Sequence, residues 1–156
     1  MRIGNKKLDL VFFLLLILLV IGMPLAIQMY NHQMWMDRIP SGAKEFTLTG
    51  HAQRGWILGE VQALDIISLW HKNKTLNRPV IEVSKGDQVV LKLRSSDVIH
   101  GFSFKEAGIF ITDGIHPGKT LLVSFTADKV GAFTFSCNAI CGDNHQNMQG
   151  TLIVKA

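Results

Sequence analysis

Two cysteines in 156 residues cannot staple a small secreted scaffold together. Four prolines and fourteen glycines without a repeat exclude a collagen-like fibre. Charge is scarce: Asp, Glu, Lys and Arg make up 18% of the chain, and sixteen basic against twelve acidic residues leave a net +4. Beyond residue 30 the balance is thirteen against eleven, or +2. A field that weak excludes nucleic acid and an anionic membrane surface as partners. A hydrophobic share of 47% is ordinary globular composition, which excludes a disordered tail and a coiled coil.

Uncharged sequence is concentrated at one end. Leu10 to Ala26 reads LVFFLLLILLVIGMPLA, and the uncharged stretch continues through Tyr30, giving twenty-one residues over 10–30. That matches the ~20 residues an α-helix needs to cross a bilayer. Arg2, Lys6 and Lys7 precede it, opposed by Asp9 alone, which predicts a cytoplasmic N-terminus over 1–9 and an extracytoplasmic remainder. Tyr30 and Trp35 stand where interfacial aromatics belong. A cleaved signal peptide is the competing reading, but Pro24 at the −3 position fits a cleavage site poorly. Both readings export the rest of the chain.

Residues 31–44, with Pro40-Ser41-Gly42, read as a linker, which leaves an exported domain over 45–156. From Pro79 onward the pattern is short strands between Gly, Pro and Asp turns: 80–83, 88–94, 98–104, 109–112, 119–126, 132–137 and 150–155. This predicts an all-β sandwich. Residues 57–71 carry Ile57, Val61, Leu64 and Ile67 at helical spacing and are read as a short helix.

Chemistry is concentrated in Cys137-Asn-Ala-Ile-Cys141-Gly-Asp-Asn-His145-Gln-Asn-Met148, where two thiols, an imidazole and a thioether fall between two predicted strands. Thiolate and thioether are soft donors and imidazole is intermediate, a set that suits copper. Two thiolates four residues apart can each bridge a pair of ions. His100, in Ser96-Asp97-Val98-Ile99-His100-Gly101-Phe102, is the outside ligand such a site needs, with its apolar neighbours expected to keep water away. A structural disulfide is the ordinary reading of two exported cysteines. It leaves His145 and Met148 without a purpose. A thiol copper chaperone would end its motif in Cys-Pro, whereas Cys141 is followed by Gly142.

CNAICGDNHQNM and SSDVIHGFSF resemble the CuA cupredoxin domain of cytochrome c oxidase subunit II, and Thr112–Lys119 is similar to that family's link between the two motifs. The resemblance covers about half the chain, from Pro79 to Ala156. It implies a cupredoxin-like Greek-key β-sandwich behind one N-terminal transmembrane helix, in a single-pass membrane protein with its C-terminal domain outside. It implies a binuclear copper centre (CuA, two Cu ions) in which Cys137 and Cys141 bridge. His100 and Met148 would complete one copper, and His145 with the Ala139 carbonyl the other. It further implies an electron carrier that makes and breaks no substrate bonds. Such a subunit accepts electrons from cytochrome c or another small carrier and passes them to the haem of oxidase subunit I. Ala139 stands where most relatives have a Glu that helps hold magnesium against subunit I. The single anchor and the C-N-x-x-C-G-x-x-H-Q-N-M form are closer to the B-type haem–copper oxidases.

Two other functions share these residues: a free-standing membrane-anchored cupredoxin for electron shuttling or copper handling, and the CuA subunit of a nitric oxide reductase. Trp56 and Trp70 are candidates for an electron port, with burial in the core the simpler expectation. His32, His51 and His71 are expected in solvent, and His116 near a partner surface or in solvent. Asp97 and Asp113 are expected to organise turns beside the site.

Overall fold

The computed structural model describes residues 6–36, 39–61 and 78–156, and the chain divides into two units, 1–41 and 42–156. The first unit is helical: α1 (Lys6–Ile17), a π-helical stretch (Leu18–Gly22) and α2 (Met23–Met36) follow one another without a break. The widened turn has a local cause. Pro24 has no N–H to donate and its ring crowds the carbonyl four residues back, so the helix loosens just ahead of it. Lys6–Tyr30 is long and apolar enough to cross a membrane, 25 residues spanning about 37 Å at 1.5 Å each. The helix itself continues to Met36, into the segment read as linker, and the first strand starts at Lys44.

The second unit is built from β1 (Lys44–His51), β2 (Gly55–Leu58), β3 (Val80–Ser84), β4 (Gln88–Ser95), β5 (His100–Phe104), β6 (Ile109–Ile115), β7 (Thr120–Thr126), β8 (Gly131–Ser136) and β9 (Gln149–Lys155). They form a four-stranded sheet, β2-β1-β4-β7, and a five-stranded sheet, β3-β9-β8-β5-β6. Parallel pairing of β1 with β4 and of β3 with β9 arises because the chain crosses between sheets before returning. The all-β, cupredoxin-like sandwich expected from the sequence is what the chain forms.

Alternation explains the packing. Ile81 and Val83 of β3, Val89, Leu91 and Leu93 of β4, and Leu152 and Val154 of β9 are buried, while Val80, Glu82 and Ser84 of β3 and Gln88 of β4 face out. An aromatic seam then joins the sheets. Trp56 of β2 meets Phe102 of β5 edge-on at 5.5 Å, Phe102 meets Phe135 at 5.6 Å, and Phe104 meets Phe125 of β7 edge-on at 5.3 Å.

Several expectations need correction. Ile57 and Leu58 belong to strand β2, not to a helix, because Gly55 at φ 75° turns the chain back and Trp56 is fully buried against the opposite sheet. The rest of that segment, with Trp70 and His71, lies outside the described residues. β5 starts at His100, so Val98 and Ile99 are loop residues, 43% and 48% exposed, and do not shield the site. His51 is not in solvent: its side chain is 15% exposed, because it ends β1 against the loop carrying Asp97. His32 lies on α2, and its side chain is outside the described residues.

Candidate metal centre

Three segments meet at one end of the sandwich. The loop after β8 carries Cys137, Ala139, Cys141, His145 and Met148; the start of β5 carries His100; the end of β1 passes behind both. The loop is fastened at its base by the Cys137 N–H, which donates to the Met148 carbonyl at 3.0 Å, and a 3-10 turn (His145–Asn147) folds it back. Fastened in this way, residues eleven positions apart in sequence face one centre.

The two thiols lie 3.6 Å apart at Sγ, both reduced and both buried. Cys137 Sγ is 3.2 Å from the Ala139 carbonyl oxygen. Cys141 Sγ is 3.7 Å from Met148 Sδ and 3.9 Å from His145 Nδ1. A ring nitrogen of His100 and both sulfurs lie within 4.8 Å of one another. His100 Nε2 is taken by Asp97 Oδ1 at 2.8 Å; a carboxylate only accepts, so Nε2 carries the proton. The nitrogen left is Nδ1, which is buried and has no hydrogen-bond partner among the described residues. A buried ring nitrogen without a hydrogen-bond partner is costly in a finished core and expected where a metal completes it.

Electrostatics separate the two thiols. Burial pushes Cys137 up, but His100, backbone groups of Ala139 and Gly101, and His145 favour the thiolate and bring it down to about 6. Burial and then the neighbouring Cys137 charge push Cys141 up to about 12. Burial depresses His100, yet the Asp97 carboxylate and Cys137 outweigh it and leave the imidazole above its ordinary value. Burial raises Asp97, and the bonds from His100 and the Ala52 N–H more than offset it. Two adjacent buried anions repel, so ionisation of Cys137 disfavours ionisation of Cys141.

Close approach is bought with glycine. Gly101 sits at a register shift between β5 and β6, and a Cβ there would stand 1.9 Å from Asn138 Oδ1 and 2.8 Å from the Ala139 nitrogen. The donor set of two thiols, two imidazoles, a thioether and a carbonyl fits copper in kind and in proximity. All six residues read from the sequence lie together. Trp56 packs on the far side of His100, centroids 6.2 Å apart, as part of the core. His116 and Asp113 are exposed and joined to each other, His116 Nε2 to the Asp113 carbonyl at 3.1 Å. Gly50 and Ala52, which with His51 back His100 and Asp97, have no signal in the sequence beyond the alternation Phe46, Leu48 before Gly50.

The profile of cytochrome c oxidase subunit II, periplasmic domain, matches residues 61–156, more than half of the chain. The chain belongs to the cytochrome c oxidase subunit II family. Cytochrome c oxidase subunit 2 of Thermus thermophilus is 41% identical over 75 residues, covering 48% of this chain and 54% of that protein. The chain spans about half the length of the curated relatives it matches. Among solved structures, the periplasmic domain of subunit II of cytochrome oxidase from Bradyrhizobium japonicum superposes with a TM-score of 0.52 at 20% identity. That match covers 74% of this chain and 86% of that one. A chain of a heme-copper terminal oxidase dimer gives 0.53 at 19% identity over 99% of this chain and 100% of that one. These likenesses show the fold alone, shared with the periplasmic domain of a cytochrome oxidase subunit II and with a chain of similar length in an oxidase complex.

Proposed function

We propose that this chain is the electron-accepting subunit of a membrane-bound terminal oxidase and that its site holds a binuclear copper centre. The observation that carries the reading is the orphaned, buried Nδ1 of His100 beside two reduced thiols 3.6 Å apart. Cys137 and Cys141 would bridge; His100 and Met148 would complete one copper, His145 and the Ala139 carbonyl the other. Such a pair supplies one-electron transfer with the charge spread over two metals and two sulfurs.

The protein's part is to keep that site still and dry. Asp97 fixes the His100 ring, the bond from Cys137 N–H to the Met148 carbonyl closes the loop, and the buried Trp56 and Phe102 back it with a close-packed wall. Donors that hardly move cost little rearrangement when the charge changes, and hydrogen bonds behind the ligands, such as that from His100 to Asp97, tune the potential. Ile140, 93% exposed between the two cysteines, brings the protein surface to within one residue of Cys141.

Cytochrome c or another small carrier is the proposed donor, and haem–copper oxidase subunit I the proposed acceptor. The apolar helix anchors the chain with its N-terminus in the cytoplasm and the β-domain outside. Ala139 offers no carboxylate to a magnesium ion at the subunit I contact. The test is copper content and electron paramagnetic resonance of the full chain in detergent. Two coppers per chain, with hyperfine structure from one electron shared over two equal nuclei, is the expected result. A single copper, or a Cys137–Cys141 disulfide that persists through reduction and copper loading, overturns it.

A further inference from the structure

The turn between β1 and β2 comes from the opposite sheet, yet it reaches both loops that carry ligands. Toward the first, the Ala52 N–H donates to Asp97 Oδ2 at 2.8 Å, while Ser96 donates to the Gly50 carbonyl from its N–H at 3.0 Å and its hydroxyl at 2.9 Å. Asp97 in turn accepts from His100 Nε2. Toward the second, Asn144 Nδ2 reaches the Gln53 carbonyl at 3.5 Å, next to His145, and a Cβ at Gly142 would stand 3.3 Å from the Ala52 methyl.

What shapes this turn is a side chain. The Gln53 N–H donates to His51 Nδ1 at 3.2 Å, and the Arg54 N–H to the His51 carbonyl at 3.0 Å. An acceptor at this place in a side chain, bonded to the N–H two residues on, is the arrangement Asn and Asp use in an Asx-turn. His51 Nδ1 is 3.6 Å from Asp97 Oδ2, too far for a hydrogen bond, so its influence on Asp97 runs through the Ala52 N–H.

We infer that the His51–Arg54 turn is a clasp across the two ligand loops and that His51 is its positioning residue, acting through Ala52 and Asp97 on the orientation of His100. The inference deepens the copper reading above and rests on it for its spectroscopic consequences. Outer partners of metal-bound histidines fix ring orientation and ligand basicity, and their loss is felt at the metal.

The test compares His51→Ala, His51→Asn, Asp97→Asn and the double variant His51→Ala/Asp97→Asn, in the full chain in detergent. In the metal-free protein, nuclear magnetic resonance follows exchange of the His100 Nε2 proton; in the copper-loaded protein, hyperfine structure and midpoint potential are read. His51→Ala is expected to speed that exchange roughly tenfold, the scale of one lost hydrogen bond, and to shift both copper signals. His51→Asn restores all three, because its Oδ1 can take the same N–H. The double variant matches Asp97→Asn alone, since His51 acts through Asp97. His51→Gln places its acceptor one methylene too far out and behaves as His51→Ala, which keeps the test open if the alanine variant does not fold. A His51→Ala or His51→Gln protein identical to the parent, an asparagine variant that does not recover, or additive effects in the double variant overturn the clasp. A parent chain that takes up no copper pair removes the copper reading, while proton exchange at His100 still decides the clasp.

Discussion

Gly50 faces the edge of the His100 ring with no room for a methyl group between them. A Cβ at Gly50 would stand 2.7 Å from His100 Cδ2 and 3.1 Å from Met148 Cε, the side chains proposed for the same copper. Gly50→Ala must therefore push one or both aside. The expected result is a folded protein that still binds through its thiols but with unequal electron sharing, seen as loss of the symmetric hyperfine pattern. Its thermal midpoint should fall by an amount in keeping with about 1–3 kcal/mol, the usual cost of overpacking a core. An unchanged resonance spectrum would mean the backbone behind His100 yields freely.

Gly101 makes the same argument for the other loop. Its missing side chain admits Asn138 and the Ala139 nitrogen, and the obstruction there is partly backbone, which cannot rotate away. Gly101→Ala should displace the Cys137–Cys141 loop as a whole and abolish pairwise copper uptake. Copper content after reconstitution is the measurement, and retention of two ions per chain would contradict it.

The proposed ligand set was legible because five of its six members crowd into twelve residues and the sixth heads a strand in a recognisable motif. Chemistry written that densely survives uncertainty about the fold. The clasp was not legible. Ala52 and Asp97 are 45 residues apart, and nothing in the composition of His51-Ala52-Gln53 distinguishes it from a solvent-exposed turn. Strand β2 was hidden for a related reason: Ile57 continues into a sequence of helical period, and only the burial of Trp56 between the sheets settles its conformation. Val98 and Ile99 read in the opposite sense, since an apolar pair beside a candidate ligand looks like core until the strand expected from Val98 is seen to begin two residues later, at His100.

Acid stability should depend on Asp87, remote from the metal site. The Lys44 ammonium at 2.6 Å and the Ser84 N–H at 2.6 Å hold its carboxyl below its ordinary 3.8. A carboxylate so lowered on folding stabilises the native state above the unfolded value, and that contribution is lost as pH falls through the lower folded value. Asp87→Asn should melt below the parent at pH 7 and converge with it toward pH 3. Thermal midpoints across that range test the point; parallel curves would show that the carboxylate charge is irrelevant.

Copper uptake should show a pH dependence that changes slope, because the two thiols start in different states. With Cys137 at about 6 and Cys141 at about 12, the metal-free chain at pH 8 has one thiolate ready and one proton to release. At pH 5 both thiols are protonated, and His100, raised by Asp97 and Cys137 against the effect of burial, adds to the release. Binding requires deprotonated donors, so apparent affinity rises with pH more steeply near pH 5 than near pH 8, the Cys137 proton alone adding about tenfold per unit at the lower pH. Calorimetry in buffers of different ionisation enthalpy counts the protons directly. Equal release at the two pH values would mean that the thiols titrate together, and the picture of one prepared thiolate beside one buried thiol would be wrong.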